Sequence, residues 1–255
     1  MGDIWEGLVE AVKLIFSFDP YVMRITLFTL YVCAIATFFG MLIGVPLGSV
    51  LALYRFHGRK FMVTLVNAGM GLPPVVVGLF IYLLLKRRGP LGFLGWLYTP
   101  RAIILAQIVL AMPLIAGITM AAMQNVNPKL RLQSKSLGAG EVRSTLTLLR
   151  ENRLSLVAAV IAGFGGIISE VGAAMIVGGN LLVNGEPYTR TLTTATVLEI
   201  SKGNSTSAIA LGLILLAITF ILVWVMTLIQ QGTLLNHPAR LARSLMSRRR
   251  KEEPA

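Results

Sequence analysis

The sequence predicts an all-α integral membrane protein with about five transmembrane helices and one amphipathic helix before them. Three observations lead there. Of 255 residues, 55% are hydrophobic and 13% charged, with a mean hydropathy of +0.76. A domain in water could not bury that much apolar surface, so the solvent is lipid, in which helices satisfy their own backbone. The apolar residues fall into five runs of the length a bilayer requires, about 20 residues. The basic residues, which give a net charge of +12, cluster between these runs. Membrane topology and anionic lipid headgroups account for them there, and no nucleic-acid partner is expected.

Residues 1–20 read as an amphipathic surface segment. Ile4, Leu8, Val12 and Ile15 recur at helical spacing. Asp3, Glu6, Glu10 and Lys13 replace the basic start and apolar core of a cleavable signal. Residues 21–232 form the transmembrane domain, with spans at 25–54, 61–85, 102–123, 154–177 and 208–229. The first span carries no charge and exceeds the bilayer thickness, so it tilts or protrudes. Its Gly40, Gly44 and Gly48 lie four apart, with Pro46 among them. That spacing suits close backbone approach, either within one subunit or between two. The second span is interrupted by Gly69-Met70-Gly71-Leu72-Pro73-Pro74. Two prolines remove two donors and bend the helix, and freed carbonyls in a membrane need protein or a water-lined cavity. The stretch is a pathway element or a packing kink.

Before the fourth span lies a polar, basic, helix-prone segment, residues 128–153, broken once at Gly138-Ala139-Gly140. A membrane protein keeps so long a loop for a soluble partner to hold. Within the fourth span, Glu170 lies roughly 24 Å along a helix starting at Leu154, at 1.5 Å per residue. It either faces an aqueous path or orders the outer end, and Gly178-Gly179-Asn180 ends the helix. The segment that follows holds Thr189, Thr191, Thr193, Thr194 and Thr196 beside Arg190. Its hydroxyls could meet a small anion or simply cap a surface helix. Residues 233–255 form a basic tail.

With the N-terminus outside and the C-terminus inside, 15 of the 23 basic residues fall on the cytoplasmic side, as the positive-inside rule requires. Lys86-Arg87-Arg88 is a local exception. Several chemistries lack their residues. There is no G-x-x-x-x-G-K-[ST] loop and no H-E-x-x-H; His57 and His237 stand in separate loops, and Cys33 is the one cysteine. No metal site, catalytic group or bound cofactor is expected in this chain. Glu170 alone could serve a proton-driven pump. Energy for active transport must come from another subunit.

The order of five spans, a glycine-centred polar loop, then Glu170-Val171-Gly172-Ala173 and Gly179-Asn180, resembles the permease subunits of bacterial ABC importers for molybdate, tungstate and sulfate. Leu72-Pro73-Pro74-Val75-Val76-Val77-Gly78-Leu79 resembles their proline-valine element, and Ser136-Leu137-Gly138-Ala139 the core of their EAA loop. The loop's usual Glu-Ala-Ala falls on Leu132-Gln133-Ser134, and its usual Leu-Pro on Arg150-Glu151. In GMGLPPVVVGL and TRTLTTATVLEISKG the chain is most similar to the tungstate type.

The resemblance implies the type I importer permease fold in a bacterial or archaeal cytoplasmic membrane. It implies two copies around a central path, an ATP-binding cassette ATPase that binds ATP and Mg, and an extracytoplasmic substrate-binding protein. Ser134, Ser136, Leu137, Gly138, Ala139 and Gly140 would couple to the ATPase. Pro73, Pro74, Val77 and Glu170 would line the path or its gate, with Val76 or Leu72 turned toward the packing side. Tungstate is the expected cargo; molybdate or sulfate are the alternatives within the family, and a channel not coupled to ATP is the competing class.

Overall fold

The computed structural model describes residues 2–17 and 19–235; of the expected basic tail, residues 236–255 lie outside the described residues. The elements follow as α1 (Gly2–Phe16), α2 (Pro20–Leu53), α3 (Arg59–Met70), α4 (Pro74–Leu85), a 3-10 turn at Gly92–Leu94, α5 (Pro100–Gln124), α6 (Pro128–Ser136), α7 (Glu141–Glu151), α8 (Arg153–Ile168), α9 (Gly172–Gly178), β1 (Leu182–Val183), β2 (Glu186–Pro187), α10 (Leu192–Ser201) and α11 (Ser205–Leu235). Three helices, α2, α5 and α11, are long and apolar enough to cross a membrane, and by length and composition there are up to five spans if the bent pairs α3–α4 and α7–α8 each count as one.

The α2–α5 pair is the spine. Asp19 caps α2, its carboxylate accepting from Val22 N at 2.9 Å, and Pro20 opens the helix where no amide donor is needed. The three glycines of α2 face α5 in the same chain. A Cβ on Gly44 would lie 2.9 Å from the Met112 carbonyl oxygen, and one on Gly48 would lie 2.9 Å from the Thr119 Cβ. Small residues are used here for packing within one subunit.

The second expected span is two helices meeting at an elbow of 109° across Gly71–Pro73. On α3, Val66 packs with Ala116 and Met120 of α5. On α4, Ile81 and Leu85 pack with Ala102 and Ala106 near the other end of α5. The pair therefore runs along α5 from one end to the other despite the bend. Lys86-Arg87-Arg88 follows directly on the last residue of α4, where positive side chains suit the negative end of a helix.

The fourth expected span is also broken. α8 stops at Ile168, and α9 begins after Ser169–Val171, with no proline to force the break. Gly179, at φ +70°, closes α9 in the left-handed conformation. Next comes a two-residue hairpin pairing Leu182 with Pro187 and Val183 with Glu186. Asn184 and Gly185, at φ +53° and +79°, make its turn. An Asn-Gly pair is the usual turn of such a hairpin. Arg24 of α2 forms an ion pair with Glu186. α1 lies across the start of α11, with Gly7 against Ile209, Glu10 beside Ser207, and Ala11 buried with Ala210 and Ile214. Leu8 and Val12 stay exposed on its other face.

Candidate functional site

Two regions carry the expected site residues, and they lie apart. The first is the α6–α7 hairpin. Asn127 caps α6 through Lys129 N at 3.0 Å. The helix ends at Ser136, and the chain then turns at Gly138, whose φ of +82° only glycine adopts without cost. Gly140 is extended and starts α7, its carbonyl accepting from Ser144 N. Ser134 ties the two helices, with its hydroxyl 2.6 Å from that of Ser144. The Ser136 hydroxyl is used locally, donating to the Leu132 carbonyl, and Ala139 N donates to the Ser134 carbonyl. Leu137 at the tip is 88% exposed, and Leu132, Val142 and Leu146 are exposed beside it. On the other side Leu148 is buried. Apolar side chains held out by a short, polar, hydrogen-bonded hairpin are suited to a partner's cleft.

Charges fix this hairpin to the rest of the chain. Glu141, in the first turn of α7, accepts from Arg131 at 3.0 Å and pairs with Lys135. The Lys135 ammonium, and after it the Arg131 guanidinium, hold its carboxyl below the usual carboxylate range. Tyr54, the residue that ends α2, reaches Glu141 at 3.3 Å and Thr145 at 3.1 Å through its hydroxyl. Arg131 also donates to the Leu53 carbonyl at 2.9 Å. The sequence reading missed this cluster. Its signal was Arg131 and Lys135 one helical turn apart, with an acid just past the glycine turn.

The second region is the elbow between α3 and α4. Leu72, Pro73, Val75 and Val76 are exposed and Pro74 is half-buried. Val77 is 4% exposed and packs in a cluster with Ala173 and Val177 of α9. This corrects the expected register. Val77 is on the packing face, and Leu72 and Val76 are not. The cause is Gly78, where an added Cβ would lie 2.8 Å from the Ala173 Cα. The close approach turns the Val77–Gly78 face to α9.

Glu170 is half-buried. Its Oε1 accepts from Ala173 N at 3.0 Å, so the carboxylate caps the broken helix α9, where a negative charge is favoured. A Cβ on Gly172 would touch Val75 at 2.6 Å and the Glu170 carboxylate at 3.4 Å. The fold thus brings Glu170 to the elbow, on the side of Val75.

The threonine-rich segment is spent on the fold. Arg190, 9% exposed, donates to the Asn180 side chain at 3.0 Å, the Asn180 carbonyl at 3.2 Å and the Tyr21 hydroxyl at 2.8 Å. Thr191 and Thr194 form a capping box on α10. The Thr193 hydroxyl donates to the Glu170 carbonyl, and Thr29 of α2 accepts from Leu192 N. Among the described residues no group of His, Cys, Asp and Glu could hold a metal ion.

The model of the binding-protein-dependent transport system inner membrane component family matches residues 44–234. The chain belongs to that family. It is 40% identical over 199 residues to a probable anion ABC transporter permease protein of Haloferax volcanii, covering 78% of this chain and 86% of the relative. It is 39% identical over 220 residues to the tungstate uptake system permease protein of Peptoclostridium acidaminophilum, covering 86% and 95%. Among solved structures, an inward-facing form of the MetNI methionine ABC transporter matches with a TM-score of 0.66 at 19% identity, covering 84% of this chain and 94% of that one. An ABC transporter that imports alginate matches at 0.64 and 18% identity, covering 82% and 79%. These two give the fold, that of a type I ABC importer permease; the family match makes the chain a multi-pass membrane subunit.

Proposed function

We propose that the chain is the permease subunit of an ATP-driven importer for a small oxyanion, most closely tungstate. The observation that carries this reading is the α6–α7 hairpin. It is a rigid helix pair with an exposed leucine at a glycine turn, set at the end of the bundle where Arg55, Arg59 and Lys60 also lie. The identity to anion and tungstate permeases over most of the chain supports the choice of cargo.

In this reading the hairpin is cytoplasmic and sits in a cleft of an ATP-binding cassette ATPase, which holds ATP and Mg. Two copies of the chain pair about a two-fold axis, and an extracytoplasmic binding protein delivers the anion to the opposite face. The elbow lines the path, with Leu72, Val75 and Val76 facing the second copy and Glu170 behind them. An apolar throat resists a hydrated dianion, because nothing there replaces its lost water. It opens when rigid-body motion of the hairpins separates the two copies.

The test assembles the permease, its ATPase and its binding protein in nanodiscs and measures ATP hydrolysis with tungstate, molybdate or sulfate on the binding protein. Tungstate should stimulate at the lowest concentration. Equal stimulation by sulfate would remove the substrate assignment, and hydrolysis indifferent to the loaded binding protein would remove the importer.

A further inference from the structure

The hairpin joins the bundle covalently through α5 and α8. α2 has no such link to it, yet the two meet. At Tyr54 the chain leaves the helix in an extended conformation, so the last carbonyls of α2 lack intrahelical partners. Two arginines fill this role. The Arg59 Nε donates to the Leu51 carbonyl at 2.7 Å, and the Arg131 Nη1 donates to the Leu53 carbonyl at 2.9 Å. Cations are favoured at that negative helix end.

Arg131 belongs to α6, so this contact is a joint between the hairpin and α2. Its guanidinium also lies over the Tyr54 ring, 5.2 Å from the centroid, within cation–π range. Its other terminal nitrogen reaches Glu141 at 3.0 Å. Glu141 receives the Tyr54 hydroxyl as well. One carboxylate on α7 therefore gathers two cations from α6 and the residue that caps the C-terminus of α2. The α2–α5 glycine seam then carries any movement of the α2 end along the whole bundle.

We infer that Arg131, Glu141 and Tyr54 form a latch that makes α2 move with the coupling hairpin. Without it, motion of a docked ATPase would reach α5 and α8 directly through the chain but the cytoplasmic end of α2 only indirectly, through the glycine seam with α5. The three are positioning residues. This inference rests on the hairpin being the ATPase dock.

The experiment uses the full complex in proteoliposomes and reads anion taken up per ATP hydrolysed. The variants are Glu141→Gln, Tyr54→Leu and the double. Gln keeps the shape of the acid without its charge, and Leu keeps bulk without the hydroxyl or ring. Each single variant should lower uptake per ATP by about fivefold or more, the low end of coupling between sites. The double should lose no more than the larger single, since both act through one joint. A short thiol crosslinker joining cysteines at positions 54 and 145 should restore the ratio in the Glu141→Gln background, which a general folding defect would not allow. An unchanged ratio in both singles overturns the latch. So does additive loss in the double. So does loss of ATPase binding in Glu141→Gln, which would make the acid a docking contact. Failure of the unaltered chain to bind an ATPase is a separate result, and it would count against the docking role itself.

Discussion

Replacing Gly138 separates the backbone's needs from the partner's. The residue sits at φ +82°, and an added Cβ meets nothing within 4 Å. An L-residue in that region costs about 1–2 kcal/mol. No internal contact adds to this figure, so Gly138→Ala and Gly138→Trp carry the same strain within the chain. Gly138→Asn carries less, because asparagine visits the left-handed region readily. If the turn only needs its backbone shape, Ala and Trp behave alike and Asn lies close to the parent. If an ATPase surface packs on the turn, Trp fares much worse than Ala. Titration of purified ATPase onto the permease in nanodiscs measures the difference. Docking predicts at least tenfold weaker binding for Trp than for Ala, about 1.4 kcal/mol, with both variants inserted and equally heat-stable. Equal affinity for Ala and Trp would mean that nothing packs on the turn.

Three other outcomes follow from the packing. Gly48→Ala drives a Cβ into the Ala116 carbonyl oxygen and to 2.9 Å from the Thr119 Cβ, so it should cost about 3 kcal/mol. Gly40→Ala, whose nearest neighbour is the Ala111 Cβ at 3.2 Å, should change far less, and equal melting temperatures would contradict the α2–α5 seam. Arg190→Met removes charged hydrogen bonds to Asn180 and Tyr21 and should cost about 2–3 kcal/mol. Anion selectivity should stay the same, and altered selectivity at full stability would place Arg190 in the path. Cysteines at positions 75 and 76 should react with an aqueous thiol reagent while one at 77 does not; the native Cys33 is buried and adds little background. Labelling at 77 in every nucleotide state would restore the register expected from sequence.

The helical membrane architecture was legible because lipid demands about 20 apolar residues per crossing, and composition reports that directly. The elbow was legible as a break, since Pro73-Pro74 removes donors, but its angle depends on what α3 and α4 pack against. The break at Ser169–Val171 carried a weaker signal. An acid followed by glycine inside an apolar run is a cap in the making, and Glu170 caps α9. The orientation of Val77 was misread because the prolines mark where a helix starts, not which face it buries. Gly78 was the better guide, since a glycine in a helix often marks close approach. Arg190 offered an anion contact on paper, but whether its donors are free depends on Asn180 and on Tyr21, 169 residues away in sequence. The latch escaped notice for the same reason, because Tyr54 and Glu141 lie 87 residues apart.

The central claim is that this chain moves an oxyanion only when an ATPase works on its hairpin. The direct test is uptake of labelled tungstate into proteoliposomes containing the permease and ATPase, with binding protein outside and nucleotide enclosed. Uptake is predicted with ATP, none with a non-hydrolysable analogue, and none when the binding protein is left out. Tungstate entering at the same rate without nucleotide would show a channel and contradict the account.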